Sequence, residues 1–157
     1  AGPPFATTLQ DAAAAAGSIR LPGRFQRVGQ WIFDVAHNAD GARTLATTLA
    51  AVQGTTPLIV LACVLGDKDW RAMLEALRPI ASRFILTDAP TAPLSRRWPL
   101  AEASSFAASL GVATDAEPDF DAALALAARS GATTLVTGSF HTVGDAMARL
   151  QVSPLSG

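Results

Sequence analysis

Cysteine, basic blocks and long apolar runs are all scarce in this chain of 157 residues. It has one cysteine, Cys63, so no intramolecular disulfide can form, as is typical of proteins from reducing compartments. The formal net charge is −1, with no run of lysine or arginine. Because nucleic-acid affinity depends largely on neutralising phosphates, we do not expect a free-standing DNA or RNA binder.

Membrane and export signals are also missing. The apolar run at 58–65 is far too short to span a bilayer. The alanine run at 12–16 follows no basic leader, so no signal peptide is expected. We therefore predict a cytoplasmic protein with no membrane partner.

Common catalytic motifs are absent as well. The sequence contains no G-x-x-x-x-G-K-[ST] phosphate loop and no G-x-G-x-x-G after a strand, which argues against a nucleotide hydrolase or a dinucleotide dehydrogenase. It offers no G-x-S-x-G and no Cys/His pair. Asp34, His37 and His141 match no standard zinc spacing. We predict neither a catalytic residue nor a metal site within the chain.

Strand-like and helix-like segments alternate along the sequence. Strands are predicted at 31–35, 58–64, 83–87 and 133–137. Helical apolar stripes cover 42–52, 70–77, 100–110, 120–127 and 143–150; the first comprises Ala42, Leu45, Ala46, Leu49 and Val52. Asn38 or Asp40 is suited to cap the first helix, and Gly54, Pro79 and Gly131 mark helix ends.

This alternation predicts an α/β domain with an open, mostly parallel sheet and helices on both faces. The continuous apolar run at 58–64 is typical of a central parallel strand, covered on both sides. Segments 88–99 and 112–118 are predicted loops. Residues 1–20 do not fit the alternation, so we expect them to precede a domain that spans 21–157.

Polar residues follow each of four predicted strands: Asp34 to Asn38, then 66–69, 88–97 and 138–141. In a parallel sheet these clusters gather at one edge, where ligands bind. Each residue also has a simpler interpretation. Asp34 is equally suited to cap the next helix, and the two histidines are each suited to a purely structural role.

Three positions are suited to anion binding, although each also has a simpler interpretation as a surface charge or an ordinary turn. Arg24 follows Pro22-Gly23, and an arginine on a stiff turn is well placed to bind a phosphate with two hydrogen bonds. Lys68 is suited to act as a point charge toward a phosphate or carboxylate. Ser139 offers a hydroxyl and backbone N–H groups at a predicted helix N-terminus.

Four segments occur in a characteristic order: LPGRFQ at 21–26, FDVAHN at 33–38, DKD at 67–69 and GSFHTV at 138–143. Together they resemble the C-terminal domain of bacterial folylpolyglutamate synthases, above all the bifunctional dihydrofolate synthase/folylpolyglutamate synthases of the Mur ligase superfamily. The resemblance covers about residues 15 to 150. It implies a Rossmann-like domain, with residues 1–20 as the tail of a preceding domain and a linker.

The resemblance also implies a reaction. ATP phosphorylates a carboxylate of dihydropteroate or folate, and the amine of L-glutamate displaces the phosphate to form an amide. The N-terminal P-loop ATPase domain, where most Mg²⁺ ligands are expected, is absent from this chain. The isolated chain is therefore expected to be an inactive monomer that needs its own ATPase domain as partner.

Roles for individual residues follow from the resemblance. On the ATP side, Arg24 is expected to reach the phosphates and Asp34 to accept hydrogen bonds from the ribose hydroxyls. His37 is expected to lie against the nucleotide, with Asn38 supporting its loop.

On the glutamate side, the resemblance implies that Lys68 and Ser139 hold the substrate carboxylates, while His141 supports the same loop. Two alternatives stay open at this point. The chain could be the C-terminal domain of a peptidoglycan Mur ligase, or a non-catalytic module that binds a nucleotide or an amino acid.

Overall fold

The computed structural model describes residues 24–54, 56 and 58–153. This part of the chain forms an α/β domain whose strands are β1 (Gln26–Val28), β2 (Trp31–Phe33), β3 (Leu58–Ala62), β4 (Ala81–Leu86), β5 (Ala113–Ala116) and β6 (Thr134–Thr137). Its helices are α1 (Ala39–Gln53), α2 (Trp70–Leu77), α3 (Leu100–Ser109), α4 (Phe120–Ser130) and α5 (Phe140–Leu150). Short 3₁₀ turns lie at Arg78–Ile80 and Leu94–Arg96. The expected linker at residues 1–20 lies outside the described residues.

The six strands make one sheet in the order β1-β2-β6-β3-β4-β5. Every neighbouring pair is parallel except β1 and β2, which form an antiparallel hairpin. All five residues of β3 are buried, which confirms that the apolar run after position 57 is a central strand. The mostly parallel sheet predicted from the alternation is therefore confirmed.

Helices cover both faces of the sheet, as predicted. One apolar core joins α1, α2 and α3 to residues such as Val60 and Phe84. The other joins α4 and α5 to Ile59, Leu61 and Val136. Because successive residues of a strand point to opposite faces, each buried strand contributes side chains to both cores.

No helix in the described ranges is long and apolar enough to cross a membrane.

Side-chain caps fix the start of four helices. Asn38, Asp69, Asp119 and Ser139 each accept a hydrogen bond from the backbone N–H three residues later. Such caps satisfy one of the free N–H groups of the first turn. Asn38 is thus the cap of α1. Asp40 instead forms an exposed ion pair with Arg43. Gly131 ends α4 with a φ of +69°.

One predicted loop is wrong. Segment 112–118 contains β5, which pairs with β4 along its whole length. Its sequence, Ala-Thr-Asp-Ala, lacks the apolar alternation of a strand because β5 is an edge strand and none of its four residues is fully buried. The sequence pattern also gave no indication of β1. The bounds of the other predicted strands differ from the observed ones by at most two residues.

Val52 does not belong to the buried stripe of α1. The other four predicted members are buried, whereas 61% of Val52 is exposed. At about 100° per residue, Val52 lies roughly 70° from the centre of that stripe, and half-buried Gln53 lies closer to it. The buried stripe of α1 therefore continues from Leu49 to Gln53, and not to Val52 as the sequence predicted.

The turn from β6 into α5 depends on a glycine. Gly138 has a φ of +118°, a conformation that is readily available only to glycine. A Cβ atom at this position would also lie 2.9 Å from the carbonyl carbon of Cys63, which follows β3. The backbone of this turn therefore passes directly over the neighbouring strand.

We expect Gly138→Ala to lower the free energy of unfolding by at least about 2 kcal/mol, because it adds both backbone strain and a clash with Cys63. Gly144→Ala is the control, since Gly144 lies within α5, just after this turn, and its added Cβ would meet nothing. That change should stabilise the fold by about 0.5–1 kcal/mol. Urea denaturation measures both; equal effects would contradict the interpretation.

Candidate functional site

The polar clusters lie where the chain leaves the sheet. We call the side at which the parallel strands end the carboxyl edge. Asp34 follows β2, Lys68 follows β3 after a short loop, Asp88 follows β4, and Ser139 follows β6. Arg24 precedes β1, and because β1 is antiparallel to β2, with Gln26 opposite Phe33, Arg24 lies at the same edge. The topology thus brings the predicted residues to one side of the sheet.

Asp34 ties the entry of the domain to the end of β2. One carboxylate oxygen accepts a hydrogen bond from the backbone N–H of Phe25 at 2.9 Å, and the other accepts one from Ala36 at 3.0 Å. Phe25 has a φ of +47°, which is unusual for a residue other than glycine. Asp34 therefore holds a strained residue next to Arg24. It does not cap α1, because that position belongs to Asn38.

A cavity of about 260 Å³ opens beside this contact. Its lining comprises Arg24, Phe25, Asp34, Ala36, Gly41, Thr44, Leu45 and Thr48. Burial raises the pKa of Asp34, while the backbone hydrogen bonds and the nearby Arg24 cation oppose that shift. The cavity therefore combines a cation, a half-buried carboxylate and an apolar wall.

His37 and Asn38 shape the loop between β2 and α1. The Nδ1 atom of His37 lies 3.2 Å from the carbonyl oxygen of Val35, and its ring lies 5.7 Å from that of Phe140. Phe140 is 62% exposed. Asn38 accepts a 2.7 Å hydrogen bond from Gly41, so its side chain supports the loop through the helix cap.

Ser139 is built into the base of the site. Only 2% of it is exposed. Its hydroxyl accepts a hydrogen bond from the Thr142 N–H at 3.1 Å and lies 2.8 Å from the Thr142 hydroxyl, which donates to the Cys63 carbonyl at 2.7 Å. This chain of contacts fastens the N-terminus of α5 to the end of β3. The Ser139 side chain is thus occupied with capping, and the helix terminus itself faces the carboxyl edge.

Lys68 lies in the loop after β3, and this loop is held against the loop that contains Arg96 and Arg97. Gly66 donates a 2.7 Å hydrogen bond to the carbonyl of Arg96, and a Cβ on Gly66 would lie 2.6 Å from the Arg97 carbonyl. The Arg96 guanidinium binds both oxygens of Asp67 at 3.2 and 3.0 Å. Half-buried Lys68 follows directly. The two loops therefore form one unit that presents Lys68.

His141 belongs to a network that sequence reasoning missed. Its Nδ1 lies 3.1 Å from the Thr91 hydroxyl, and that hydroxyl lies 3.1 Å from a carboxylate oxygen of Asp145. Thr91 falls within the polar segment 88–97 that the sequence singled out. Asp145 was detectable only as the acidic residue four positions after His141, on the same helix face. The structure thus links His141 to the loop after β4.

Nucleophilic or metal chemistry has little support here. Cys63 is buried, and burial raises the pKa of its thiol to about 11, so the reactive thiolate is scarce at neutral pH. Among the residues that the structure describes, no three His, Cys, Asp or Glu side chains are grouped so as to hold a metal ion. At the carboxyl edge, the carboxylates of Asp34 and Asp67 are instead engaged by backbone N–H groups and by Arg96.

A larger groove lies elsewhere. It has a volume of about 480 Å³ between α1 and α2, and it reaches Leu58 at the start of β3. Its wall is mostly apolar, with Arg43 and Glu75 among its polar members. Because it lies toward the opposite edge of the sheet, it contains none of the predicted site residues.

The different surroundings of Asp34 and Asp67 should be visible when their side chains are titrated and followed by ¹³C NMR. Asp34 should titrate above 3.8, because burial raises its pKa, and exposed Asp67 below 3.8, because its hydrogen bond with Arg96 lowers the pKa. Between 3.8 and the raised value the folded chain binds more protons at Asp34 than the unfolded chain does, so this group makes stability fall as pH rises. Asp34→Asn should remove that slope; shifts in the same direction for both residues would contradict the assignment.

Comparison with known proteins shows which family the chain resembles. The family model described as Mur ligase, glutamate ligase domain matches residues 23–140. The dihydrofolate synthase/folylpolyglutamate synthase of Escherichia coli K12 is 36% identical over 132 residues, which cover 81% of this chain and 30% of that protein.

Solved structures agree. A Mycobacterium tuberculosis folylpolyglutamate synthase complexed with ADP and AMPPCP superposes with a TM-score of 0.77 and 27% identity, covering 96% of this chain and 37% of that one. E. coli FolC in complex with DHPP and ADP gives 0.74 and 25%, covering 92% and 35%. The chain therefore spans little more than a third of these relatives. On the matched residues and the shared fold, it belongs to the family of Mur ligase, glutamate ligase domains.

Proposed function

We propose that this chain is the C-terminal domain of an ATP-dependent ligase that joins L-glutamate to dihydropteroate or to folates through an acyl phosphate. In this proposal the domain binds the nucleotide and the amino acid, and a separate P-loop domain activates the carboxylate. The convergence of Arg24, Asp34 and the N-terminus of α5 at the carboxyl edge is the observation that carries the proposal.

The nucleotide would bind beside β2. Arg24 supplies a guanidinium that pairs with phosphate oxygens, and Asp34 retains lone pairs that accept hydrogen bonds from ribose hydroxyls. His37 presents its ring on the loop after β2, and the Asn38 cap stabilises that loop. The similar M. tuberculosis and E. coli structures were solved with ADP, which supports a nucleotide as a ligand of the whole ligase.

The amino acid would bind between α5 and Lys68. A glutamate substrate carries two carboxylates, and both a lysine and a helix N-terminus attract anions. Ser139 would contribute by capping α5, because its own hydroxyl is already engaged with Thr142. Lys68 would then supply the mobile charge, and the helix terminus the fixed one.

The domain would be inactive alone. Its cations lie at an open edge, where water weakens charged contacts. A second domain that closes over this edge would exclude water and bring the activated carboxylate to the amine. In this proposal most of the Mg²⁺ ligands come from the P-loop domain.

NMR mapping tests the proposal on the chain itself. Titration of the ¹⁵N-labelled chain with ADP should shift the amide signals around Arg24, Asp34 and His37. L-Glutamate should shift those of Lys68 and residues 140–142. Shifts confined to the groove between α1 and α2, or the absence of shifts with both ligands, would overturn the proposal.

A kinetic test uses the chain joined to a P-loop domain, with phosphate release as the measurement. Arg24→Ala should weaken use of ATP, and Lys68→Ala should raise the KM for L-glutamate. Each loses a charge-assisted contact worth about 1.5–3 kcal/mol, or roughly 10- to 150-fold. Each variant controls for the other because the two changes should affect different substrates.

Two further variants control for the loss of positive charge. Arg27 binds Gln53 at the far end of α1, and Arg78 lies at the far end of α2. Alanine at either position should leave both KM values unchanged. If Lys68→Ala also leaves the glutamate KM unchanged, Lys68 is not part of the site.

The same assay separates the remaining possibilities. Preference for a nucleotide-linked peptide over dihydropteroate would indicate a peptidoglycan Mur ligase. Binding of ADP or L-glutamate without phosphate release in any joined form would favour a non-catalytic binding module.

A further inference from the structure

A chain of three side chains connects the N-terminus of α5 to the loop after β4. Asp145, which is 5% exposed, accepts hydrogen bonds at 3.1 Å from both the backbone N–H and the hydroxyl of Thr91. The Thr91 hydroxyl also lies 3.1 Å from Nδ1 of His141. His141 and Asp145 are four residues apart, so they share one face of the helix, and Thr91 bridges them.

The direction of these bonds follows from the donors available. A carboxylate only accepts hydrogen bonds, so the Thr91 hydroxyl must give its proton to Asp145. The same oxygen can then only accept from His141. Nδ1 of His141 therefore carries a hydrogen, and in the neutral ring the free lone pair is on Nε2.

The position of the His141 ring indicates what the free lone pair on Nε2 could bind. His141 is the second residue of α5, beside exposed Phe140 at the carboxyl edge, whereas Asp145 is buried one turn further along. The network thus has a fixed end inside the fold and a histidine at the proposed amino-acid site. An amino acid presents an ammonium group in addition to its carboxylates, and an unprotonated ring nitrogen is an acceptor for it.

We propose that Thr91 and Asp145 are positioning residues that keep the hydrogen of His141 on Nδ1, so that Nε2 accepts a hydrogen bond from the amino group of the substrate amino acid. The ligand part of this inference rests on the proposed function. The hydrogen-bond direction rests on the geometry alone and is tested without any ligand.

Long-range ¹⁵N–¹H NMR reads the tautomer directly. The chain has two histidines, so His37→Gln assigns the His141 signals. In the unaltered chain, the neutral His141 ring should show a protonated Nδ1 and an unprotonated Nε2. Thr91→Val keeps the backbone bond to Asp145 but should abolish this preference, and Thr91→Ser should restore it.

A second pair of variants tests the acceptor. The N–H and the hydroxyl of Thr91 bind the same carboxylate oxygen of Asp145. In Asp145→Asn the amide oxygen can take that place and should keep the ring hydrogen on Nδ1, whereas Asp145→Leu removes the acceptor and should abolish the preference. Thr47→Val, at an exposed site on α1, should change nothing. Hydrogen on Nε2 in the unaltered chain, or a tautomer indifferent to Thr91→Val, would overturn the positioning role. Because Thr91 is exposed, that conclusion does not depend on a buried variant folding.

L-Glutamate tests the ligand part. It should shift Nε2 of His141, and Thr91→Val should weaken its binding about 3- to 10-fold, as expected for one hydrogen bond. If glutamate shifts the amides of Lys68 and Phe140 but leaves Nε2 unchanged, the ligand part is wrong while the proposed function stands. If glutamate shifts no signal, the proposed function and the ligand part fail together, and the tautomer result alone decides the positioning role.

Discussion

The close approach of Gly138 to Cys63 is the constraint on which the site depends. It lets the backbone leaving β6 cross directly over the end of β3, where Thr142 then binds the Cys63 carbonyl. The N-terminus of α5 is thereby fixed at the middle of the sheet, within reach of the loops after β2 and β4 on either side. Its contacts with His37 and Thr91 follow from that placement.

Around the N-terminus of α5, the acidic and the basic side chains differ in their contacts. The carboxylate of Asp34 is half-buried and engaged by backbone N–H groups, and Asp67 is paired with Arg96. Arg24 is exposed and Lys68 half-buried. The acidic groups thus mostly organise the loops, while the cations are presented to an incoming anion. This division suits a domain that binds phosphates and carboxylates.

The sequence predicts the fold well where burial controls the pattern. The run that became β3 and the stripes of α2 and α4 depend on apolar spacing, which a single sequence displays. β5 was missed because an exposed edge strand carries no such spacing. At the site, the residues at strand ends were predictable from topology and the family resemblance. The bridge from Thr91 to Asp145 was not, because it joins positions 54 apart whose meeting depends on tertiary packing.

The antiparallel direction of β1 has one more consequence. The polypeptide enters the sheet at Arg24, beside the cavity that Asp34 lines, rather than at the distant edge. Any domain attached ahead of this strand is therefore tethered at the mouth of the site. A short tether at that point raises the local concentration of the attached domain over the site.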